Sequence, residues 1–361
     1  MKKKSDALFQ ILTPLLAVAV ALLIAFVIIF MVSDEPVKAL QAFITGPFTT
    51  VRRMGNVIEA MIPLVFTGLA ACVMFQAKQF SLIADGSFLV GALASAVFVL
   101  NVAMPAGLHS TVAILLGGVV GAICAIIPGF LKAKWNANEF VVSMMFNFIL
   151  VYFTLYVLLN FIRDKDSGFL ASFKLPKTAK LPVIVPRTQI HTGLIIALVM
   201  VVLVWLFLYK TKWGYSIRMV GCNPSFSSFA GINTFMVVFS CQIIGGFIAG
   251  IGGSVELFGM YDRFQWQDTP GYGFDGMTVA ILAANNPALV PIGAVFIAYI
   301  RVGAEIMART SNVPNEMVNI IQGIIMLLVT ASAFLARWKH RAVIKSVRAE
   351  NKLETTAKGA N

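Results

Sequence analysis

Apolar residues run through this chain in long blocks separated by short polar breaks. The blocks lie at 8–32, 57–75, 86–103, 111–131, 139–162, 190–209, 233–259, 277–285, 289–308 and 316–336. A helix rising about 1.5 Å per residue needs about 20 apolar residues to cross a bilayer. Nine of these ten blocks are long enough, and 277–285 is not. That short block stops at Asn285-Asn286-Pro287 and reads as a half-helix or a re-entrant piece. The first block is much longer than the core of a cleaved signal and has no small-residue cleavage site after it, so it is expected to stay as a spanning segment. The pattern predicts an all-α, polytopic helical membrane protein with about ten transmembrane segments.

Composition agrees. Of 361 residues, 59% are apolar and 12% are charged, where a soluble domain holds roughly a quarter charged residues. A soluble enzyme or DNA-binding protein is excluded. The net charge of +12 would mark nucleic-acid binding on a soluble chain. Here it sits at block ends and in loops, where it sets topology, and no nucleic-acid partner is expected. Lys2, Lys3 and Lys4 at one end and Arg337, Lys339, Arg341 and Lys345 at the other argue for two cytoplasmic termini. Alternation then places Lys78, Lys132, Lys134, Lys210, Lys212 and Arg218 inside, while the loop 163–189, with six basic residues, falls outside against the bias. An even number of crossings is required, either ten or eight with 277–308 folded back as a pair. The expected organisation is a cytoplasmic N-terminus (1–7), a single transmembrane domain (8–336) with a cytoplasmic loop at 210–231, and a basic cytoplasmic tail (337–361). Cys72, Cys124, Cys222 and Cys241 are scattered, as are the three histidines. Neither a disulfide framework nor a metal cluster is expected, and no cofactor is implied.

The order of segments repeats. Block 57–75 leads through a polar stretch to Asp85-Gly86 and three apolar blocks, and block 233–259 leads through another to Asp275-Gly276 and three more. Five crossings separate the halves, so 57–162 and 233–336 form an inverted-topology repeat, with binding sites expected where discontinuous helices meet. The plainer reading is that Asp-Gly marks a helix start with Asp as N-cap. Residues 210–231 form a long loop mixing Lys210, Lys212 and Arg218 with Trp213, Tyr215, Phe226 and Phe229. Asn223 with Pro224 after it predicts a short capped helix ending near Gly231. Such a helix docks a partner protein or rests on lipid headgroups.

These stretches resemble a family. The loop, through Thr211, Gly214, Arg218, Gly221, Asn223-Pro224 and Ala230-Gly231-Ile232, is similar to the coupling loop of permease subunits of ATP-binding-cassette importers for sugars and nucleosides. Lys132 through Asn147 is similar to the family's basic loop and Asn-bearing helix. Gly271-Tyr272-Gly273-Phe274-Asp275-Gly276, continued by Asn286-Pro287, is similar to its Gly-Phe-Asp-Gly signature, and Arg301, Gly303, Met307 and Gln322-Gly323 extend the likeness. The larger permease of nucleoside importers is the nearest type. One stretch departs: Ser81-Leu82-Ile83-Ala84-Asp85-Gly86-Ser87 keeps the acid and glycine of the family's Asn-Ile-Gly-Ala-Glu-Gly-Gln but lacks the amides at its ends. The resemblance implies a bacterial plasma-membrane permease working by alternating access. It also implies a second permease subunit, a cytoplasmic ATP-binding-cassette ATPase and an extracytoplasmic solute-binding lipoprotein as partners.

Polar groups inside apolar blocks are expensive and are therefore candidates for function. Asp275 leads, because 261–276 gathers Gln265, Trp266, Gln267, Asp268, Tyr272 and Phe274, groups suited to hydrogen-bonding a ribose and stacking a base. Asp85 is its counterpart, read as an exit-side element, and Asn286 lies just beyond the short block. Helix capping is the alternative for both aspartates. Asn147 either hydrogen-bonds a sugar hydroxyl or cross-links two helices, and Gln242 reads the same way. Arg301 and Glu305, spaced i, i+4, are expected to pair, and Glu256, near a block end, to face water. The glycine runs Gly117-Gly118…Gly121 and Gly245-Gly246…Gly250…Gly252-Gly253 read as close helix packing. The chain carries no Gly-x-x-x-x-Gly-Lys-Ser/Thr phosphate loop, so ATP-derived work has to enter from a separate subunit, and Gly214, Arg218, Gly221, Asn223, Pro224, Phe226, Phe229 and Gly231 are the expected coupling residues. The alternatives are an ion-gradient-driven secondary transporter and a permease for branched-chain amino acids. A membrane-embedded enzyme is disfavoured by the scattered histidines.

Overall fold

The computed structural model describes residues 36–310 together with Phe30, Gly323 and Ile324. Most of blocks 8–32 and 316–336, both termini and the tail 337–361 lie outside the described residues. The helices are α1 (Pro36–Thr45), α2 (Val51–Gln76), α3 (Ile83–Asn101), α4 (Leu108–Trp135), α5 (Glu139–Val157, continued by a π-turn at Leu158–Ile162), α6 (Gly193–Lys210), α7 (Lys212–Cys222), α8 (Pro224–Phe229), α9 (Thr234–Met260), α10 (Tyr272–Leu282) and, after a 3-10 turn at Pro287–Leu289, α11 (Val290–Thr310). Among the described residues there is no strand, and two isolated bridges, Arg163 with Ser172 and Val183 with His191, are the sheet-like contacts. Among the described residues seven helices are long and apolar enough to cross a membrane, matching the seven long blocks that fall wholly within this range.

Capping explains where the helices start. Thr50 accepts the Arg53 N–H (3.2 Å), so α2 begins six residues before its apolar block and carries Arg52, Arg53 and Asn56 in its first turns. Asn138 accepts the Phe140 N–H (3.1 Å) at the head of α5, and Asn233 accepts the Met236 N–H (3.1 Å) at the head of α9. Each supplies an acceptor for an amide that has no partner within its own helix.

The chain divides into two compact units. In the unit Met1–Phe43 with Ala304–Asn361, α1 buries Ala39 and Phe43, and Glu305 faces Arg309 one turn on (3.8 Å). The unit Ile44–Gly303 holds every site residue discussed below. Its core is a seam in which α9 packs along α4 and both pack on α3. A Cβ added at Gly250 would lie 2.3 Å from the Gly117 carbonyl oxygen, and one at Gly253 would lie 2.0 Å from that of Phe88. At Gly121 it would meet the Gly246 carbonyl oxygen at 2.5 Å. These backbones touch, as small residues permit when helices associate in lipid. The Ser95 and Ser254 hydroxyls meet at 2.6 Å and reach the carbonyls of Ala113 (2.8 Å) and Gly250 (2.9 Å), so these two hydroxyls are satisfied inside the seam. On the periphery α5 and α6 expose Met145, Phe148, Tyr152, Leu198 and Val202, the apolar surface a bilayer requires.

Candidate functional site

Two helices start deep inside the bundle, and their starts touch. The coil 77–82 is held against α5: the Leu82 N–H donates to Ser143 Oγ (2.8 Å), and Asn147 Nδ2 donates to the Leu82 carbonyl (2.9 Å). Asn147 lies about 12 Å along α5 at 1.5 Å per residue, so α3 begins near mid-depth. The strap 261–271 leads to the second start, where Gly271 adopts φ +78° and α10 follows. There the Gly273 N–H donates to Asp85 Oδ1 (2.9 Å). A Cβ on Gly273 would come within 2.7 Å of three Asp85 atoms, and one on Gly276 would lie 2.4 Å from Thr67 Oγ1. Glycine is required at both positions by close approach.

The capping expectation for the aspartates is corrected in an instructive way. The N-caps of α3 and α10 are Leu82 and Gly271, and neither has a side-chain cap bond. Asp85 instead caps the other helix, placing its carboxylate at the positive end of α10. Asp275 reaches Arg301 on α11 (3.3 Å). Arg301 therefore pairs with Asp275 rather than with Glu305, whose partner is Arg309: tertiary packing carries the guanidinium inward, away from the i, i+4 position. Thr269 acts on the Asp85 carboxylate as well.

An acidic and aromatic group surrounds this junction. The Arg301 guanidinium lies 4.8 Å above the Tyr272 ring, and the Tyr272 hydroxyl is 3.5 Å from Glu256 Oε1. Glu59 and Arg301 both act electrostatically on Glu256. Contrary to expectation, Glu256 does not face water; it is 1% exposed, because α9 is covered at this point by α2 and the strap. Its Oε2 has no partner among the described residues. Trp266 packs on Phe88 (5.7 Å between ring centres), Tyr261 (5.2 Å) and Phe264 (5.7 Å), and Phe88 in turn packs on Tyr272 (5.3 Å). Packed aromatic rings, carboxylates and one guanidinium thus share one place.

The structure brings together Asp85, Asp275, Asn147 and Trp266. Asn147 ties α5 to α3, with its Oδ1 left without a partner. Gln265 is exposed on the strap, and Phe274 is 51% exposed. Asn286 lies beyond the far end of α10, where it accepts the Ala288 N–H (3.1 Å) and caps the 3-10 turn. Both amide atoms of Gln242 lack partners among the described residues. Glu59 was not anticipated, although an acid inside block 57–75 was the signal that could have flagged it.

The 210–231 segment is more ordered than a loop. Thr211 accepts the Gly214 N–H (3.0 Å) and starts α7, a helix the sequence reading did not anticipate. A Cβ at Gly214 would lie 2.1 Å from the Phe207 carbonyl oxygen, and one at Gly221 would lie 1.8 Å from that of Gln76, so α7 is pressed against α6 and the end of α2. Arg218 stacks on Tyr209 (5.0 Å), and Lys78 Nζ donates to the Cys222 carbonyl (3.3 Å). Asn223 accepts the Phe226 N–H (3.1 Å) and caps α8, with Pro224 at its first position and Gly231 at φ +81° beyond its end. Phe226 is 57% exposed and Phe229 91%.

A bundle of apolar helices long enough to cross a membrane, with two helices starting inside it at buried acidic groups, is the architecture of a multi-pass membrane protein. A family model described as branched-chain amino acid transport system / permease component matches residues 53–330, and the chain belongs to that family. It is 30% identical over 337 residues to the glucose ABC transporter permease protein TsgB13 of Haloferax volcanii, covering 91% of this chain and 89% of that protein. It is 29% identical over 328 residues to the guanosine ABC transporter permease protein NupP of Bacillus subtilis, covering 90% and 94%. It is 27% identical over 330 residues to the nucleoside ABC transporter permease protein NupB of Lactococcus lactis, covering 89% and 90%. The chain is a multi-pass membrane permease.

Proposed function

We propose that this chain forms one half of the translocation pathway of an ATP-driven importer for a nucleoside or a simple sugar. The pathway works by alternating access, with ATP hydrolysed on a separate cytoplasmic subunit that docks on α8. The observation that carries this reading is α8 itself. It is a capped turn, held on a helix wedged against α2, that presents Phe226 and Phe229 to solvent in a chain without a nucleotide-binding loop. Exposed aromatics on a rigid platform are the anchors that protein interfaces favour. The names of the relatives support the solute class, and the stacked rings and carboxylates around Asp85 and Asp275 suit it chemically.

Ten crossings and two cytoplasmic termini fit the same reading. Gln76 Nε2, at the end of α2 that meets α7, donates to the Asn285 carbonyl (2.7 Å). The strap and α10 together therefore traverse the bundle as a tenth crossing beside seven described spans and the blocks 8–32 and 316–336. The inverted repeat is supported by Asp85-Gly86 and Asp275-Gly276, which lie in the first turns of two helices starting inside the bundle. Asp85, Asp275, Asn147, Trp266, Gln265, Phe274 and Asn286 are assigned to the solute pathway. A second permease chain and an extracytoplasmic binding lipoprotein complete the assembly in the bacterial plasma membrane.

The test is uptake of radiolabelled guanosine and of glucose into proteoliposomes holding the assembled importer, with ATP inside. Accumulation of one of them is expected to require ATP and to disappear with a catalytically dead ATPase or with the Phe226→Ser/Phe229→Asp permease. Accumulation that survives the dead ATPase and collapses when ion gradients are dissipated would overturn the reading.

A further inference from the structure

The loop 163–189 is stitched to the segment that positions α10. The Ser172 N–H donates to the Phe264 carbonyl (2.9 Å), the Leu175 N–H to the Asp262 carbonyl (2.9 Å) and the Leu181 N–H to the Phe258 carbonyl (3.1 Å). The Phe264 N–H returns a bond to Ser172 Oγ (2.9 Å). Arg263 is the keystone among the side chains. Its Nη1 donates to Asp164 Oδ2 (2.5 Å) and to the Ser172 carbonyl (3.1 Å), joining both arms of the bridged turn between Arg163 and Ser172 to the strap. The guanidinium holds the Asp164 carboxyl below the usual carboxylate range. A second pair, Lys180 with Asp262, is largely exposed and contributes little.

From Arg263 the strap has no slack before the junction. Trp266 is packed on Phe88, Thr269 acts on the Asp85 carboxylate, Gly271 makes the turn and Gly273 donates to that carboxylate. Every second or third residue is fixed, so displacement at one end is carried to the other through packed and hydrogen-bonded groups.

We infer that the loop 163–181 and the strap 261–271 form one clasp that sets the position of α10, with Arg263 and Asp164 as its positioning residues. A partner pressing on this end of the permease thereby acts on the Asp85–Gly273 contact. The partner is the solute-loaded binding protein of the importer, so this step rests on the proposed function, and its regulation is what the clasp adds.

The experiment uses the assembled importer in lipid nanodiscs, with ATPase activity measured without and with solute-loaded binding protein. Arg263→Gln is expected to leave the unstimulated rate near the wild-type value and to cut the stimulation about tenfold, a loss within the usual range of coupling free energies. The binding-protein concentration giving half-maximal stimulation is expected to stay close to wild type, because docking is intact and transmission is not. Asp164→Asn is expected to act in the same direction and serves as the reading if Arg263→Gln fails to assemble. The double variant Asp164→Arg/Arg263→Asp is expected to recover part of the stimulation. Full stimulation in Arg263→Gln overturns the clasp, as does joint loss of unstimulated and stimulated activity without recovery in the swap. A wild-type complex that shows no stimulation at all overturns the importer reading, and the clasp with it.

Discussion

The glycine seam of α3, α4 and α9 and the junction where α3 meets α10 lie side by side but are built on opposite principles. In the seam, backbones touch at Gly117, Gly121, Gly246 and Gly250, and the hydroxyls of Ser95 and Ser254 satisfy each other and nearby carbonyls. At the junction, two helices are interrupted, a carboxylate caps the opposite helix, and Glu256 Oε2 and Asn147 Oδ1 are buried without partners. Close-packed backbones have one good arrangement, because any sliding puts carbonyls into contact. Interrupted helices joined by a few charge-assisted bonds can part and rejoin at modest cost. On this contrast the seam is expected to be the frame of the permease and the junction its moving part.

The largest expected effect comes from breaking the frame. Gly250→Val places methyl groups where the Gly117 carbonyl oxygen lies, and overpacking of this kind costs on the order of 3 kcal/mol or abolishes folding. Thermal unfolding of the detergent-purified permease would register it as a collapse of the melting temperature or as loss of monodisperse protein. The junction is expected to respond less in stability and more in activity. Arg301→Ala removes the partner of Asp275, and with both side chains partly exposed the expected loss is about 2 kcal/mol. ATP-driven uptake should disappear, while the double variant Asp275→Ala/Arg301→Ala should recover much of the stability and none of the transport.

An effect confined to acid pH sharpens the comparison at the point where α9 leaves the seam. His191 is fully buried ahead of α6, beside Gly193 and Gly259, and burial pushes its pKa down to about 4. The unfolded chain takes up this proton near pH 6.5, whereas the folded protein does not until about pH 4. This site therefore leaves stability unchanged above pH 6.5 and erodes it as pH falls toward 4, by about 1.4 kcal/mol per unit. His191→Gln is expected to flatten that part of the melting-temperature profile. An unchanged slope would show that the acid sensitivity arises elsewhere.

Much of the frame was legible in the chain. The long apolar blocks locate α3 to α6, α9 and α11 to within a few residues and α2 to within six, since burial in lipid writes itself directly into hydropathy. Asn223-Pro224 foretold α8 for the same local reason: a cap and its amide lie three residues apart. The junction was legible only as a set of candidates. Asp85 and Gly273 are 188 residues apart, and no local pattern says that the carboxylate of one helix caps the other. Arg301 illustrates the same limit: its spacing to Glu305 is a local fact, and its pairing with Asp275 is a tertiary one. Helix α7 was read as loop because Lys210, Lys212 and Arg218 are mixed with its aromatics, although Gly214 and Gly221 hold it in close contact with α6 and α2.

The division between frame and moving part is tested most directly by distances in the assembled importer, measured by pulsed electron paramagnetic resonance with and without trapped ATP. Labels at Phe274 and Phe148, both exposed, report α10 against α5; labels at Val119 and Met236, also exposed, report the seam. The Phe274–Phe148 distribution is expected to shift when ATP is trapped, and the Val119–Met236 distribution to stay where it was. A seam that moves while α10 holds still would contradict the assignment.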